Sequence, residues 1–331
     1  MRRGSIMWGA AALAAAVVSP VSAAELRLAR TVELAQLPLV VAERQHLIEK
    51  AAAARGVDGL VVHWLDPGRA GGLAQLAAGK ADLAVAEPGA FLAARERGAG
   101  TPAALAALAA VSRAPYVLVA RDPGLRTIRD FRDGDRIAVP GKSSGPALML
   151  EMAASREWGI GEFARLDRFV VVRSDPEAAF QLRSGQGEVT AHFSRSPYSD
   201  DELANPALHR VMDSFDIAGP HSAALVVAPA AWCTANPALA AAVVAALQQA
   251  DRFIADQRGA AAELFAAAAK DQVAVVEDLS DMIGDPDVAY SAAPAGVLGL
   301  ADFLAATGRL AGKPGGWAEL ACAAGRELAG N

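Results

Sequence analysis

The sequence predicts an α/β protein of two lobes, each a mixed sheet flanked by helices. Three observations carry this. Short apolar runs alternate with helical stretches, the loops between them are short, and the alternation lapses and then resumes further along the chain. At 331 residues the chain suits one large or two medium domains with ample core. A formal net charge of -6 and the lack of a long basic run argue against a nucleic-acid partner.

The N-terminus speaks to compartment. Arg2 and Arg3 precede an apolar run over 6–18, then Ser19-Pro20-Val21-Ser22-Ala23-Ala24. A charged start, a short apolar run and a small-residue cleavage site predict a secretory signal peptide over 1–24, cut after Ala23 or Ala24. The run is too short to cross a bilayer. Twin arginines leave both Sec and Tat export open. With no cysteine at the cleavage site, no lipid anchor is expected, so the mature chain is read as soluble and periplasmic. The two cysteines, Cys233 and Cys322, lack metal-ligand spacing. Pairing and burial as free thiols both remain open.

In chain order, 25–32 reads as a strand and 39–55 as a helix stopped by Gly56. A strand over 60–65 leads to a helix over 70–78, closed by Gly79. A strand over 82–86 leads through Glu87-Pro88-Gly89 to a helix over 90–97. This β-α-β-α-β-α rhythm implies a parallel sheet whose strand-to-helix loops open on one edge, where ligands bind in such folds. Apolar strands follow over 103–111 and 116–121. A second set comprises 127–131, a strand over 166–172, a helix over 176–183 and a strand over 188–193. A strand over 224–227 and Ala-rich helices over 237–257 and 259–269 complete the pattern. Crossings near 111–115 and 215–222 assign 25–112 with 222–331 to the first lobe and 113–221 to the second, with a cleft between.

The stretch from Arg136 to Met152 is the most informative. Ile137, Ala138 and Val139 read as a buried strand ended by Pro140 and Gly141. Ser143 or Ser144 can cap a helix with Pro146 in its first turn, sending Leu148, Met149, Leu150 and Met152 inward. The loop admits an ordinary turn, a non-covalent receptor for oxyanions at the helix start, or a hydrolase nucleophile, since Gly141-Lys142-Ser143-Ser144-Gly145 fits G-x-S-x-G. Arg136 in place of the first glycine rules out a phosphate-binding P-loop. The hydrolase needs an acid and then a histidine. Asp175, Asp213 and Asp216 do precede His221, but among five histidines such an order arises easily, and no glycine-rich oxyanion loop accompanies it.

Taken together, Leu37-Pro38-Leu39-Val40-Val41-Ala42-Glu43, Leu47-Ile48-Glu49-Lys50, and Gly71-Gly72-Leu73-Ala74-Gln75-Leu76 with Gly79-Lys80-Ala81-Asp82 resemble a known family. It is the ABC-transporter periplasmic solute-binding proteins of the nitrate/sulfonate/taurine (SsuA/THI5-like, NMT1) type. Ile137-Ala138-Val139-Pro140, Gly187 to Ser194 and Ala301-Asp302-Phe303-Leu304 extend the likeness over 25–322. The resemblance implies a type II periplasmic-binding-protein fold, two lobes that close on a ligand like a hinged clamp, and no catalytic residue, metal or cofactor. It also implies an inner-membrane ABC permease as partner and a monomer. Glu87 departs from the family, which often has a small residue there; Cys322 stands where an aromatic is usual. A ligand-sensing role for a membrane receptor shares the fold. Relatives that make a thiamine pyrimidine precursor carry a cysteine-rich segment that this chain lacks.

On this likeness the cleft receives Gln36 and Leu37 from the first loop, Arg69 from the second and Glu87 from the third. Gly141, Ser143 and Ser144 come from the other lobe, with His192, Phe193 and Ser194 from a later strand and Ser222, beside His221, from the return crossing. Bland alternatives stand beside these: Arg69 and Lys142 solvated, Glu87 capping the next helix, His192 structural, Tyr116 in the core. Arg69 and the helix start suit a sulfonate or carboxylate. Glu87 would repel a bare anion and requires a cationic partner. The expected ligand is therefore a small zwitterion or polar organic acid, taurine-like rather than nitrate.

Overall fold

A computed structural model describes residues 24–269 and 275–330, the side chain of Arg69 excepted. The leader expected over 1–24 thus lies outside the described residues but for Ala24. The strands are β1 (Glu25–Ala29), β2 (Val61–Leu65), β3 (Leu83–Ala86), β4 (Leu105–Arg113), β5 (Val117–Ala120), β6 (Ile137–Val139), β7 (Val170–Val172), β8 (Ala191–Ser194), β9 (His209–Asp213), β10 (Ser222–Pro229) and β11 (Ala289–Tyr290). They form two sheets, ordered β11-β4-β10-β3-β1-β2 and β7-β6-β8-β5-β9.

Both sheets are mixed. In the first, β1 runs parallel to β2 and β3, while β10 is antiparallel to β3 and β4. In the second, β6 runs parallel to β7 and β8, and β5 is antiparallel to β8 and β9. Strand alternation sorts the apolar side chains onto opposite faces. In β10, Leu225 and Val227 join a core that also contains Leu118, Ile137 and Phe193 of the second sheet. Ala224 and Val226 face the other core, under the helix Pro237–Asp256. By length and composition that helix could cross a membrane. Its apolar face, with Leu239, Val243, Leu247 and Ile254, is buried against the helices Leu37–Arg44 and Leu47–Ala53. Each fully buried leucine there contributes about 1.5–3 kcal/mol.

Some elements differ from expectation. The helix expected over 39–55 is two, Leu37–Arg44 and Leu47–Ala53, because His46 sits in the left-handed region at φ 52°. Residues 127–131 form turns instead of a regular element. There the Asp130 carboxylate accepts from the N–H groups of Arg126 and Thr127 at 3.0 and 2.8 Å. The strand β9, at the edge of its sheet, went unforeseen because His-Arg-Val-Met-Asp mixes polar and apolar residues on both faces.

The cleft is placed by where the strands end. The helix Pro88–Arg97 follows β3 and the helix Gly145–Trp158 follows β6, and the two meet across the lobes. A Cβ on Gly89 would lie 2.7 Å from Leu148 Cδ2, so a larger residue there would make that leucine side chain shift where the helix starts meet. The single bridge Cys233–Cys322, with Cα atoms 5.9 Å apart, ties the short helix Ala230–Ala235 to the C-terminal segment beside β4.

Candidate functional site

A cavity of about 440 Å³ opens between the two sheets, walled by the loops after β1, β2 and β3 on one side and those after β6 and β8 on the other. Its central group is Glu87. The residue holds the N-cap position of the helix Pro88–Arg97, yet its side chain makes no cap hydrogen bond. The carboxylate instead crosses to the other lobe. Oε2 accepts from the Gly145 N–H at 2.8 Å, and Oε1 accepts from the Tyr116 hydroxyl at 2.6 Å and from Arg195 Nη2 at 2.9 Å. The cationic partner that Glu87 requires is therefore Arg195.

Arg195 is held from every side. Its guanidinium lies 4.3 Å over the Tyr116 ring and also donates to the Tyr116 hydroxyl. Burial works against its charge, but Tyr116, Glu87, Glu33 and Asp175 outweigh that and raise its pKa. Burial, with Glu87 adding, pushes the Tyr116 hydroxyl well up and keeps it protonated, a donor to the carboxylate. The ring is fixed by Phe193 edge-on at 6.0 Å and by His221 stacked at 5.9 Å. Opposite, Arg30 is desolvated, which lowers its pKa; it pairs with Glu43 and lies 4.9 Å from the Trp64 ring centre.

Five of the residues expected from sequence line the cavity: Gln36, Glu87, Gly141, Ser144 and Ser194. The others lie elsewhere. Leu37 is fully buried in the core of the first lobe. Ser143 is exposed, as is Lys142, and neither lines the cavity. Phe193 sits beneath Tyr116. His192 is behind the wall, between Glu202 and Asp175 at 2.6 and 3.3 Å. Ser222 pins the return crossing: its Oγ accepts from the Ala295 N–H at 2.9 Å. Arg69 lies on the turn Gly68–Ala70 at the cavity mouth, and its side chain is outside the described part of the structure. Arg195 and Tyr116 were missed as site groups; the demand of Glu87 for a cation was the one sequence signal pointing to the first.

Three buried polar atoms of wall residues have no hydrogen-bond partner: Arg30 Nε, Gln36 Oε1 and Ser194 Oγ. Each of these atoms is almost wholly without accessible surface, and leaving a buried polar atom unpartnered costs about 1–3 kcal/mol. The nucleophile arrangement, by contrast, is not assembled. Ser144 Oγ donates to the Gly141 carbonyl at 2.7 Å, and among the described residues no histidine bonds to Ser143 or Ser144. His221 accepts from Ser214, its pKa lowered by burial to about 4.

Two α/β lobes, crossed twice by the chain and facing each other over a polar cleft at their strand ends, define a periplasmic-binding-protein fold of type II. The chain belongs to the NMT1/THI5-like family, whose model matches residues 56–261. It is similar in structure to the alkanesulfonate-binding protein SsuA of Xanthomonas axonopodis pv. citri, solved bound to MOPS. There the TM-score is 0.65 and the identity 22%, over 87% of this chain and 94% of that one. The aliphatic sulphonate binding protein SsuA of Escherichia coli gives a TM-score of 0.65 at 19% identity, over 88% of this chain and 90% of that one. The nitrate-binding protein NrtA of Synechocystis PCC 6803 gives 0.55 at 15% identity, over 78% and 69%. Each of the three is a binding protein and not an enzyme. No curated protein matches the chain.

Proposed function

We propose that the protein is the extracytoplasmic solute-binding component of an ABC importer, a periplasmic monomer that captures a small polar organic ligand between residues 25–112 with 222–331 and residues 113–221. The observation that carries this is the interlobe cavity of about 440 Å³, walled by strand-end loops of both sheets and by the charged groups Glu87 and Arg195. Capture is reversible. One lobe docks the ligand, the other closes over it, and the closed shape is what the permease recognises. Closure excludes water and so strengthens each polar contact.

The cavity of about 440 Å³ corresponds to roughly 15 water-sized groups, far more than nitrate fills. The ligand is taurine-like in carrying an amine, because Glu87, although paired with Arg195, keeps one acceptor position for a ligand N–H. Arg195 and Tyr116 on the cavity wall are donors and Glu33, Glu87 and Asp175 acceptors, which suits a molecule with both kinds of group. The test is denaturing mass spectrometry of protein purified natively, followed by calorimetry with the released compound. A protein that releases nothing and shows no thermal shift with amino acids, amines, sulfonates or nitrate refutes the reading.

A further inference from the structure

We propose that Glu87 sets the ligand class of the cleft. Its carboxylate is a tethered occupant of the anion seat formed by the Gly145 N–H, the Tyr116 hydroxyl and Arg195, so the cleft takes a ligand that brings an amine to Glu87 and excludes one that brings only a sulfonate or nitrate to the helix start. This rests on the reading of the cleft as a capture site.

The seat is a strong one. The helix Gly145–Trp158 has 14 residues, and its first N–H groups carry the positive end of the dipole. A buried guanidinium and a phenol add two donors beside it. An anion from solution would be held there by charge-assisted hydrogen bonds. In this chain the place is filled by Glu87, whose three contacts measure 2.6, 2.8 and 2.9 Å. Ser144, at the N-cap, makes no side-chain cap bond to the helix, so the Gly145 N–H depends on Glu87. A ligand anion would have to expel the carboxylate and then sit beside it, like charge against like in a desolvated space.

The rest of the wall also points to a ligand that donates. Glu33 and Asp175, acceptors only when ionised, line the same cavity as Glu87. Glu87 itself uses three of the roughly four acceptor positions of a carboxylate, which leaves one for a ligand N–H.

The test is titration calorimetry of the full mature chain, its Glu87→Gln and its Glu87→Ala variants with sodium ethanesulfonate, in low salt and a buffer free of sulfonates. The wild type is expected to give no binding at millimolar concentration. Glu87→Ala, which empties the seat, binds at least ~10-fold more tightly, with Glu87→Gln between them. Circular dichroism and urea unfolding confirm that the variants fold; should Glu87→Ala fail, Glu87→Gln carries the comparison. Wild type binding ethanesulfonate as tightly as the variants overturns the proposal, as do folded variants that remain inert. A native ligand that carries an amine supports it, and a sulfonate without an amine sinks it. Release of no ligand counts against the capture reading alone, because the variants still report on the seat.

Discussion

His192 offers the sharpest check on the electrostatics behind the cleft wall. The ring is fully buried in β8, with Nδ1 2.6 Å from Glu202 Oε1 and Nε2 3.3 Å from Asp175 Oδ1. Burial alone would lower its pKa, but the bonds to Asp175 and Glu202 outweigh burial and raise it to about 9. Both nitrogens then donate, as an imidazolium. A folded-state pKa above the unfolded value of 6.5 stabilises the fold below pH 6.5, and that stability is lost as pH rises through about 9. The full contribution is on the order of 3 kcal/mol, most of it kept at pH 7 and almost none at pH 10. Replacing His192→Gln removes the charge and leaves two carboxylates facing a neutral amide. Urea unfolding at intervals from pH 6 to pH 10 should show the wild-type midpoint falling through the alkaline range. The variant should be about 3 kcal/mol less stable at pH 6, and the difference should close by pH 10. A difference that stays constant with pH would show that the imidazole is neutral and the linkage reasoning wrong.

Three further expectations follow from single sites. A Cβ on Gly145 would lie 2.7 Å from Tyr116 Cζ, so Gly145→Ala should displace the ring, cost about 1–3 kcal/mol in urea unfolding and weaken retention of the native ligand; a silent variant would mean that the ring has room to move. The bridge Cys233–Cys322 spans 89 positions, for which chain entropy gives at most about 4.6 kcal/mol, and the Cys233→Ser/Cys322→Ser protein should lose a large part of this in equilibrium unfolding. An unchanged midpoint would contradict it. Burial raises Asp251 to about 7, although the Ala292 N–H opposes this. Its folded pKa above the unfolded value penalises the fold as pH climbs from about 4 through 7, so Asp251→Asn should flatten the decline in stability between pH 5 and pH 8; an unaltered slope would remove Asp251 from the account.

Much of the frame is legible in the order of residues. The three β-α repeats and the Pro140-Gly141 stop before the helix at Gly145 are written in apolar periodicity and in glycine and proline positions. What escapes is anything settled by partners far along the chain. Arg195 lies in Ser-Arg-Ser-Pro, indistinguishable from a solvated arginine, and its carboxylate partner is 108 residues away. Tyr116 reads as core and its ring is core, yet the hydroxyl works at the cleft. His192 and Phe193 flank Ser194 on one strand. Only the packing of neighbouring helices decides that the histidine is sealed behind the wall while the serine reaches the cavity. Ser143 and Ser144 are chemically equal in the loop, and the turn geometry alone exposes the first.

The place of β10 bears on how the chain reaches this shape at all. It lies between β3 and β4, although more than a hundred residues separate it from β4 in the sequence. Until it arrives, those two strands each present a bare hydrogen-bonding edge, the kind that recruits foreign strands. The residues that build the second sheet are all made first, so that sheet can assemble while its neighbour still waits for a middle strand. Such late, long-range pairing makes for slow maturation, and the interval before it is when this protein depends most on being kept from its own copies.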